Sequence, residues 1–213
     1  MRKVPQFTEA RACVPCPVDP QSFNPSCSLP YGLAVEQVHQ AMDDFIDFLC
    51  FINRQLHRKG FPRLETFFMP ANFSSIVGEF MNIMIPKHCP NLVQNKYHNG
   101  HPDLLPRGVF PGDAAQYATE GIEVKGSRRS GGWQGHNPES VWLMVFHFVG
   151  NTSRDRMAGL APQPFLFKGV YAARLGKGDW NFSGRTGRSR RTITASVNQA
   201  GVLRMRENWV YQV

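Results

Sequence analysis

Two acidic motifs in the middle of the chain carry the side chains best suited to metal-dependent chemistry. Asp103 follows a proline and precedes two leucines, and Glu123 and Lys125 lie in a stretch that alternates with Ile122 and Val124. Side chains of a strand alternate between its faces, so Glu123 and Lys125 should project together while the apolar pair anchors the other face. If Asp103 begins the neighbouring strand, two carboxylates and an ammonium group meet at one edge of a sheet.

Such a group of charges has a defined chemical use. Two close carboxylates repel each other and raise each other's proton affinity. A hard divalent cation relieves that repulsion, and oxygen ligands of this kind select Mg²⁺ over zinc. Lys125 can neutralise part of the charge and orient or activate a water molecule. A metal on one phosphate oxygen, with a water positioned in line, is an arrangement that hydrolyses a phosphodiester.

Two predicted helices precede these motifs. Apolar residues recur at three- and four-residue steps from 34 to 58 and again from 72 to 85. Asn72 can cap the second helix and Pro86 should end it. Glu79 lies at the edge of its apolar stripe. It is either a half-buried carboxylate that needs a partner or a flank residue that points to water.

Beyond about residue 100 the sequence is typical of strands. The run 141–149 is too apolar for an exposed strand, so we expect it in the middle of a sheet with both faces covered. Another strand is predicted at 165–173, and 192–197 with 202–205 predicts a late hairpin. Helices followed by a strand-rich half indicate an α/β core with a helical N-terminal layer.

Length and composition limit the class of protein. The chain has 213 residues, of which 42% are hydrophobic and 19% charged, and this excludes a disordered tail or a coiled coil. No apolar run reaches the roughly 18 residues of a spanning helix, and the N-terminus lacks the apolar core of a secretion signal. We therefore expect a cytoplasmic protein with no membrane partner. Residues 1–32, which are rich in proline, predict an irregular arm, and 33–213 a single domain.

A strongly basic segment, residues 174–206, lies near the end of the chain. It holds eight Lys and Arg residues against one acid, and so supplies seven of the net charge of +8. Such a field attracts a polyanion, most commonly nucleic acid, although a merely solvated basic face is the alternative. Amide side chains are interleaved and can reach base edges. The nucleic-acid contacts predicted here are Arg185, Arg188, Arg190, Arg191, Asn198 and Gln199.

Three more contacts are predicted directly after Lys125. Arg128 and Arg129 could lie against a backbone phosphate. His136 belongs to a loop rich in glycine and amides that could reach a duplex from the sheet edge. A flexible hairpin loop explains the same residues equally well.

Pro102-Asp103 followed by Glu123-Val124-Lys125 resembles the motif of the PD-(D/E)xK nuclease superfamily, in particular type II restriction endonucleases. The order also agrees: a helix bearing an acid, a strand starting at Pro-Asp, then a strand carrying Glu-x-Lys. The resemblance covers roughly residues 70–150, and each motif is common by itself. It implies a restriction-endonuclease-like core with a central mixed sheet flanked by helices.

The resemblance also implies roles. Asp103 and Glu123 would hold Mg²⁺, Lys125 would be the catalytic lysine, and Glu79 would be an auxiliary acid near the metal, which many members lack. The activity would be sequence-specific cleavage of double-stranded DNA in a restriction system, without an organic cofactor. A chain without a separate recognition domain would most economically act as a homodimer on a two-fold site. The alternatives are a nucleic-acid-binding protein without catalysis and a repair, recombination or phage nuclease.

Three cysteines suggest a zinc site, but less strongly than the acids suggest a magnesium site. Cys13, Cys16 and Cys27 could bind zinc only with a fourth ligand, for which His39 is the nearest candidate, and reduced cysteines fit better.

The pair His98 and His101 invites comparison with HNH nucleases, but the further Asn and His that such a site needs are not at suitable spacing. Asp113 is a rival to Asp103 as first acid. It follows Pro-Gly and more readily starts a turn.

Overall fold

The computed structural model describes residues 8–135, 137–183 and 194–213. Helices and strands together form an α/β fold, as the sequence predicts. In that part of the chain no helix is both long and apolar enough to cross a membrane. The helices are α1 (Glu9–Ala12), α2 (Val35–Arg58), α3 (Leu64–Phe67), α4 (Pro70–His88), α5 (Ser153–Met157) and α6 (Gln199–Glu207). The strands are β1 (Leu92–Gln94), β2 (Leu104–Pro106), β3 (Ile122–Ser127), β4 (Gln134–Gly135), β5 (Val141–Val149), β6 (Leu166–Leu175), β7 (Trp180–Ser183), β8 (Thr194–Val197) and β9 (Trp209–Gln212).

Six strands form a mixed central sheet in the order β1-β2-β3-β5-β6-β9. Strands β3 and β5 run parallel, and every other neighbouring pair in this sheet is antiparallel. A smaller antiparallel sheet has the order β4-β8-β7. The chain between β3 and β5 passes through β4, so the small sheet forms part of the crossover that the parallel pair requires.

Strand β5 lies inside the central sheet with both faces covered, which confirms the expectation for residues 141–149. Met144 and Phe146 pack into the large apolar cluster formed with α2 and α4. Leu143 and Val145 point the opposite way and pack against residues of the small sheet and Met205 of α6. Because both faces are buried, every second residue does not have to be polar.

Helix α2 occupies the predicted range almost residue for residue, but the predicted bounds of the next helix are wrong. Helix α4 begins at Pro70, not at an Asn72 cap, and ends at His88 rather than before Pro86. Proline is favoured at the first helical position because its missing N–H would be unpaired there in any case. Pro86 lies near the end of the helix and is accommodated there.

The predicted late hairpin is also wrong. Strand β8 ends at Val197, and Asn198 follows it as the cap of α6, its Oδ1 accepting a hydrogen bond from the Gly201 N–H at 3.0 Å. Val202 and Met205 are therefore helical, and Met205 is buried. Asparagine serves both turns and helix caps, so local sequence alone favours neither.

Residues 8–32 of the predicted arm hold only α1 and one 3₁₀ turn, and they lie on the core. The N–H of Cys16 donates to the Phe165 carbonyl at 2.8 Å, and that of Asn24 to Val210 at 3.0 Å. Arg63, which is 2% exposed, fixes α1 to the domain. Its guanidinium donates to Glu9 at 2.8 Å, Glu65 at 2.6 Å and Asn151 at 2.9 Å.

Candidate active site

Strand pairing brings the three predicted catalytic side chains together. Asp103 directly precedes β2, which runs antiparallel to β3 with Leu104 opposite Ile122. Asp103 Oδ2 accepts a hydrogen bond from the Val124 N–H at 2.9 Å. On β3, Lys125 Nζ donates to Glu123 Oε1 at 2.7 Å. The sequence predicted that the two carboxylates and the ammonium group would meet if a strand began at Asp103, and in the structure they do.

A glycine lets α4 approach this point. A methyl group on Gly126 would overlap the Ser74 carbonyl of α4, so no larger residue fits without displacing helix or strand. The close crossing places Glu79 and Asn82 on the wall of the same hollow as Asp103. Glu79 itself is exposed, so the second of its two sequence interpretations, a flank residue pointing to water, is the correct one.

Two further residues belong to the site: Glu139, which the sequence did not indicate, and His101, which it suggested only as half of an HNH-like pair. His101 lies between two carboxylates, with Nδ1 2.9 Å from Glu123 Oε2 and Nε2 3.1 Å from Glu139 Oε2. His101 Nε2 forms no hydrogen bond among the described residues, so the second contact is an electrostatic one. Both oxygens of Glu123 are thus contacted, one by Lys125 and the other by His101.

The sequence held only weak signals for this pair. His101 stands two residues before Asp103, but its partner Glu139 lies far along the chain, just before β5. The parallel pairing of β5 with β3 brings the start of β5 close to Asp103 and Glu123. The ring of Tyr117 stacks on His101 at a centroid distance of 5.7 Å and covers it.

Burial and mutual charge shift the acids in opposite directions. Burial, reinforced by the charge of Glu123, raises the pKa of Asp103 to about 7. Burial alone would raise the pKa of Glu123 too, but His101 and Lys125 lower it to about 2. Burial would lower the pKa of Lys125 and of His101, yet the neighbouring carboxylates raise both. Burial, and secondarily the charge of Glu123, thus make the ionised form of Asp103 costly in the absence of a cation.

The two carboxylates suit Mg²⁺, which takes few ligands from protein, better than they suit a metal ion that needs all its ligands from protein. Within the described ranges no three His, Cys, Asp or Glu side chains are arranged to hold a metal ion. Mg²⁺ is commonly bound by one or two carboxylates, with waters and substrate phosphates completing its shell. Asp103 and Glu123 supply two carboxylates, and a cation beside Asp103 would offset the cost of ionising it. The residues present thus fit Mg²⁺.

Three hollows join into one groove across this face of the molecule. The first, about 430 Å³, is lined by Arg129, Trp133 and the start of α4. It shares Ser74 and Lys125 with the central hollow of about 320 Å³, which holds the acids. The third, about 420 Å³, shares Glu79, Asn82 and Asp103 with the central one and continues along residues 94–100.

The predicted DNA contacts next to Lys125 differ in their surroundings. Arg128 donates to the Gly150 carbonyl and lies 5.6 Å from the centroid of the Phe148 ring, so its guanidinium is tied to the core. Burial lowers its pKa. Arg129 is exposed and lines the groove. His136 lies outside the described residues.

The basic segment is described only in part, since Arg185, Arg188, Arg190 and Arg191 lie outside the described residues. Both polar groups of the Asn198 side chain are used within the chain, because Nδ2 also donates to the Gly178 carbonyl at 2.8 Å. Gln199 is exposed on the first turn of α6. The contacts of both with DNA remain predictions.

Asp113, the cysteines and His39, the candidates for other chemistry besides the His98 and His101 pair, have contacts or states of their own. Asp113 accepts hydrogen bonds from the Gly108 N–H at 3.0 Å and from Lys96 at 3.3 Å, and so stabilises its own turn. All five cysteines are free thiols. His39 contacts Asp43 at 3.2 Å, which leaves it engaged within α2.

Comparisons with protein-family models, with curated proteins and with solved structures found no match to this chain.

Proposed function

We propose that this protein is a Mg²⁺-dependent endonuclease that hydrolyses phosphodiester bonds in double-stranded DNA, and that it serves as the type II enzyme of a restriction system. The observation that carries the proposal is the meeting of Asp103, Glu123 and Lys125 at the β2–β3 edge, inside one groove. The mixed central sheet of the protein, with α4 packed on β3 next to the acids, is compatible with a restriction-endonuclease-like core.

Each side chain has a role that follows from its charge. Asp103 and Glu123 would hold Mg²⁺, which when bound polarises the scissile phosphate and supplies positive charge to the transition state. Lys125 remains an ammonium group beside Glu123, so it can donate hydrogen bonds that orient the attacking water and stabilise the developing negative charge. His101 holds one oxygen of Glu123 and thereby limits its rotation.

The groove and the charge of the chain support a nucleic-acid substrate. Arg129 and Lys125 line the groove on one side of the acids, and the net charge of +8 favours a polyanion. A two-fold homodimer would present one such groove to each strand of a duplex, which is why the dimer belongs to the proposal.

The test is plasmid cleavage by the wild type and by Lys125→Ala, each with Mg²⁺ and with EDTA. We expect discrete, EDTA-sensitive fragments from the wild type and none from the variant. Binding of DNA in Ca²⁺ should persist in the variant, because one catalytic charge is lost from a large interface. Lys87→Ala, which removes an exposed lysine paired with Asp44, is the matched control and should cut normally.

Cleavage by a folded Lys125→Ala protein at the wild-type rate would refute the assignment. Fragments without a fixed pattern would favour a repair, recombination or phage nuclease of the same superfamily.

A nucleic-acid-binding protein without catalysis is the second candidate. The observation in its favour is that both oxygens of Glu123 are already contacted, by Lys125 and by His101. In that case the acids and cations would form a structural ion network. Retardation of DNA in a gel without any Mg²⁺-dependent nicking would identify this function.

A further inference from the structure

The connection between β5 and β6 is longer than these strands require. They are antiparallel neighbours, and a hairpin of about two residues can join such a pair. Residues 150–165, here called the α5 loop, separate them instead. Apart from the short helix α5, this loop has no regular structure of its own. Long loops of that kind are usually either disordered or functional.

Hydrogen bonds hold the α5 loop in place, so disorder does not account for its length. The buried Asn151 joins its two ends, since Nδ2 donates to the Ala161 carbonyl at 3.2 Å and Oδ1 accepts from the Gln163 N–H. The buried guanidinium of Arg63 donates to Asn151 Oδ1 and to the Gln163 carbonyl, both at 2.9 Å. The same guanidinium also binds Glu9 at 2.8 Å. The loop is thus formed before any partner arrives, which reduces the entropy lost on binding.

The α5 loop exposes apolar side chains that a surface helix normally buries. No residue of α5 is buried. Met157 is 80% exposed, the highest value among the large apolar side chains of the described residues, and Leu160 is 58% exposed. Ala158 and Ala161 are exposed as well. A run of exposed apolar residues on an ordered loop indicates an interaction surface.

The charges available beside this apolar run are positive. Arg154 and Arg156 are exposed on α5. The acid between them, Asp155, is used within the loop, because its Oδ2 accepts from the N–H and the hydroxyl of Thr152 at 2.7 and 2.8 Å. Glu9 is paired with Arg63. A second copy of the chain would bring the same two arginines, whereas a polyanion offers the opposite charge.

The α5 loop also continues the basic end of the groove. Arg128 lines the first hollow and donates to the carbonyl of Gly150, the first residue of the loop. Burial lowers the pKa of Arg128 and the charge of Asp155 opposes that shift, so α5 lies beside this arginine. Helix α3 packs on α5, and Pro70, which follows α3 closely, lines the same hollow. A duplex in the groove therefore has the α5 loop as its next contact on this side.

We propose that the α5 loop binds the minor groove of the duplex next to the segment that is cleaved. Arg154 and Arg156 contact phosphates at its edges, and Met157 and Leu160 press against the base pairs. Proteins that bind the minor groove commonly combine basic side chains with apolar wedges that partly unstack a base step. The choice of DNA rests on the proposed nuclease function, since an anionic membrane surface offers the same two chemistries.

The test is binding of a fluorescein-labelled duplex of mixed sequence, in Ca²⁺, measured by anisotropy at several salt concentrations. Met157→Ser combined with Leu160→Ser should weaken binding about tenfold without changing its dependence on salt, because apolar contact alone is lost. Arg154→Ala combined with Arg156→Ala should make the slope of log K against log salt shallower by about two. All four side chains are exposed, so both variants should fold.

Matched controls lie on α2. Phe51→Ser removes an apolar side chain that is 61% exposed. Arg54→Ala combined with Arg58→Ala removes two exposed arginines and so lowers the net charge as much as the loop variant does. Both control proteins should bind the duplex with the affinity and the salt slope of the wild type.

Unchanged affinity in the apolar variant, or an unchanged slope in the arginine variant, would overturn the proposal. If DNA binding is intact and the apolar variant instead loses a dimer in sedimentation equilibrium, or loses binding to phosphatidylglycerol vesicles, the partner is a second copy or a membrane and the proposal is wrong. The plasmid assay separates this from the nuclease proposal. Cleavage with binding that the loop variants do not change refutes the loop alone, whereas loop-dependent binding by a protein that does not cut refutes the nuclease alone.

Discussion

Replacing Asp103 by asparagine should stabilise the metal-free protein, and the gain should increase with pH. Burial and the charge of Glu123 raise the pKa of Asp103 from 3.8 to about 7. Between these two pH values the unfolded chain has released this proton while the folded chain still holds it. The unfolded state therefore binds fewer protons, so stability falls as pH rises through this window and is level above it.

The magnitude follows from that difference in pKa. Each tenfold difference in proton affinity corresponds to about 1.4 kcal/mol, so the raised pKa of Asp103 lowers the free energy of unfolding by about 4 kcal/mol at pH 8.5 and by about 1.5 kcal/mol at pH 5. Asparagine carries no such cost, and its Oδ1 can still accept from the Val124 N–H. The stability gained by Asp103→Asn should thus increase by about 2–3 kcal/mol between pH 5 and pH 8.5.

Urea unfolding in EDTA, followed by circular dichroism at several pH values, measures this gain directly. His101, whose pKa is also raised, titrates in both proteins, so much of its effect cancels in the difference. Asp113→Asn is the matched control. Hydrogen bonds from the Gly108 N–H and Lys96 lower the pKa of Asp113, so its replacement should bring no gain that grows with pH. A gain for Asp103→Asn that is the same at pH 5 and 8.5 would refute the reasoning.

Two further predictions concern the elements that support the site. Arg63→Met should lower the free energy of unfolding by about 3–5 kcal/mol, because it leaves the buried Glu65 without its cation. Urea unfolding checks this, and a loss below about 1 kcal/mol would contradict it. Gly126→Ala should destabilise by about 1–3 kcal/mol through overlap with Ser74 and should also reduce cleavage, whereas Gly78→Ala, whose methyl would reach only contact distance, should be nearly neutral in both assays.

The fold could be predicted where one local signal dominated. The apolar residues of α2 recur with a helical period, and those of β5 form an uninterrupted run. Each pattern buries its apolar side chains in only one type of secondary structure. The predictions from sequence were wrong where two local conformations compete. Asn198 can start a turn or cap a helix, and Pro86 can end a helix or lie near its end. For Asn198 distant packing favours the helix, because Met205 is buried against Leu143 and Val145 of the central sheet.

The candidate site divides in the same way. Glu123 and Lys125 share a face because a strand alternates, and that can be deduced from two residues of spacing. His101 and Glu139 could not be deduced, since 38 positions separate them in the chain and only the parallel pairing of β5 on β3 joins them. Asn82 Oδ1 has no hydrogen-bond partner among the described residues, and this likewise depends on which residues pack against α4.

By itself the sequence determined the charge of the chain, the residue types available for chemistry, and the local periods that make α2, β3 and β5. Tertiary structure alone decided which charges meet, how deeply Asp103 is buried, and where α4 crosses β3. The physical reason is the distance over which each effect acts. Periodicity acts over a few residues of backbone, whereas electrostatic coupling and desolvation depend on distances through space that no local pattern encodes.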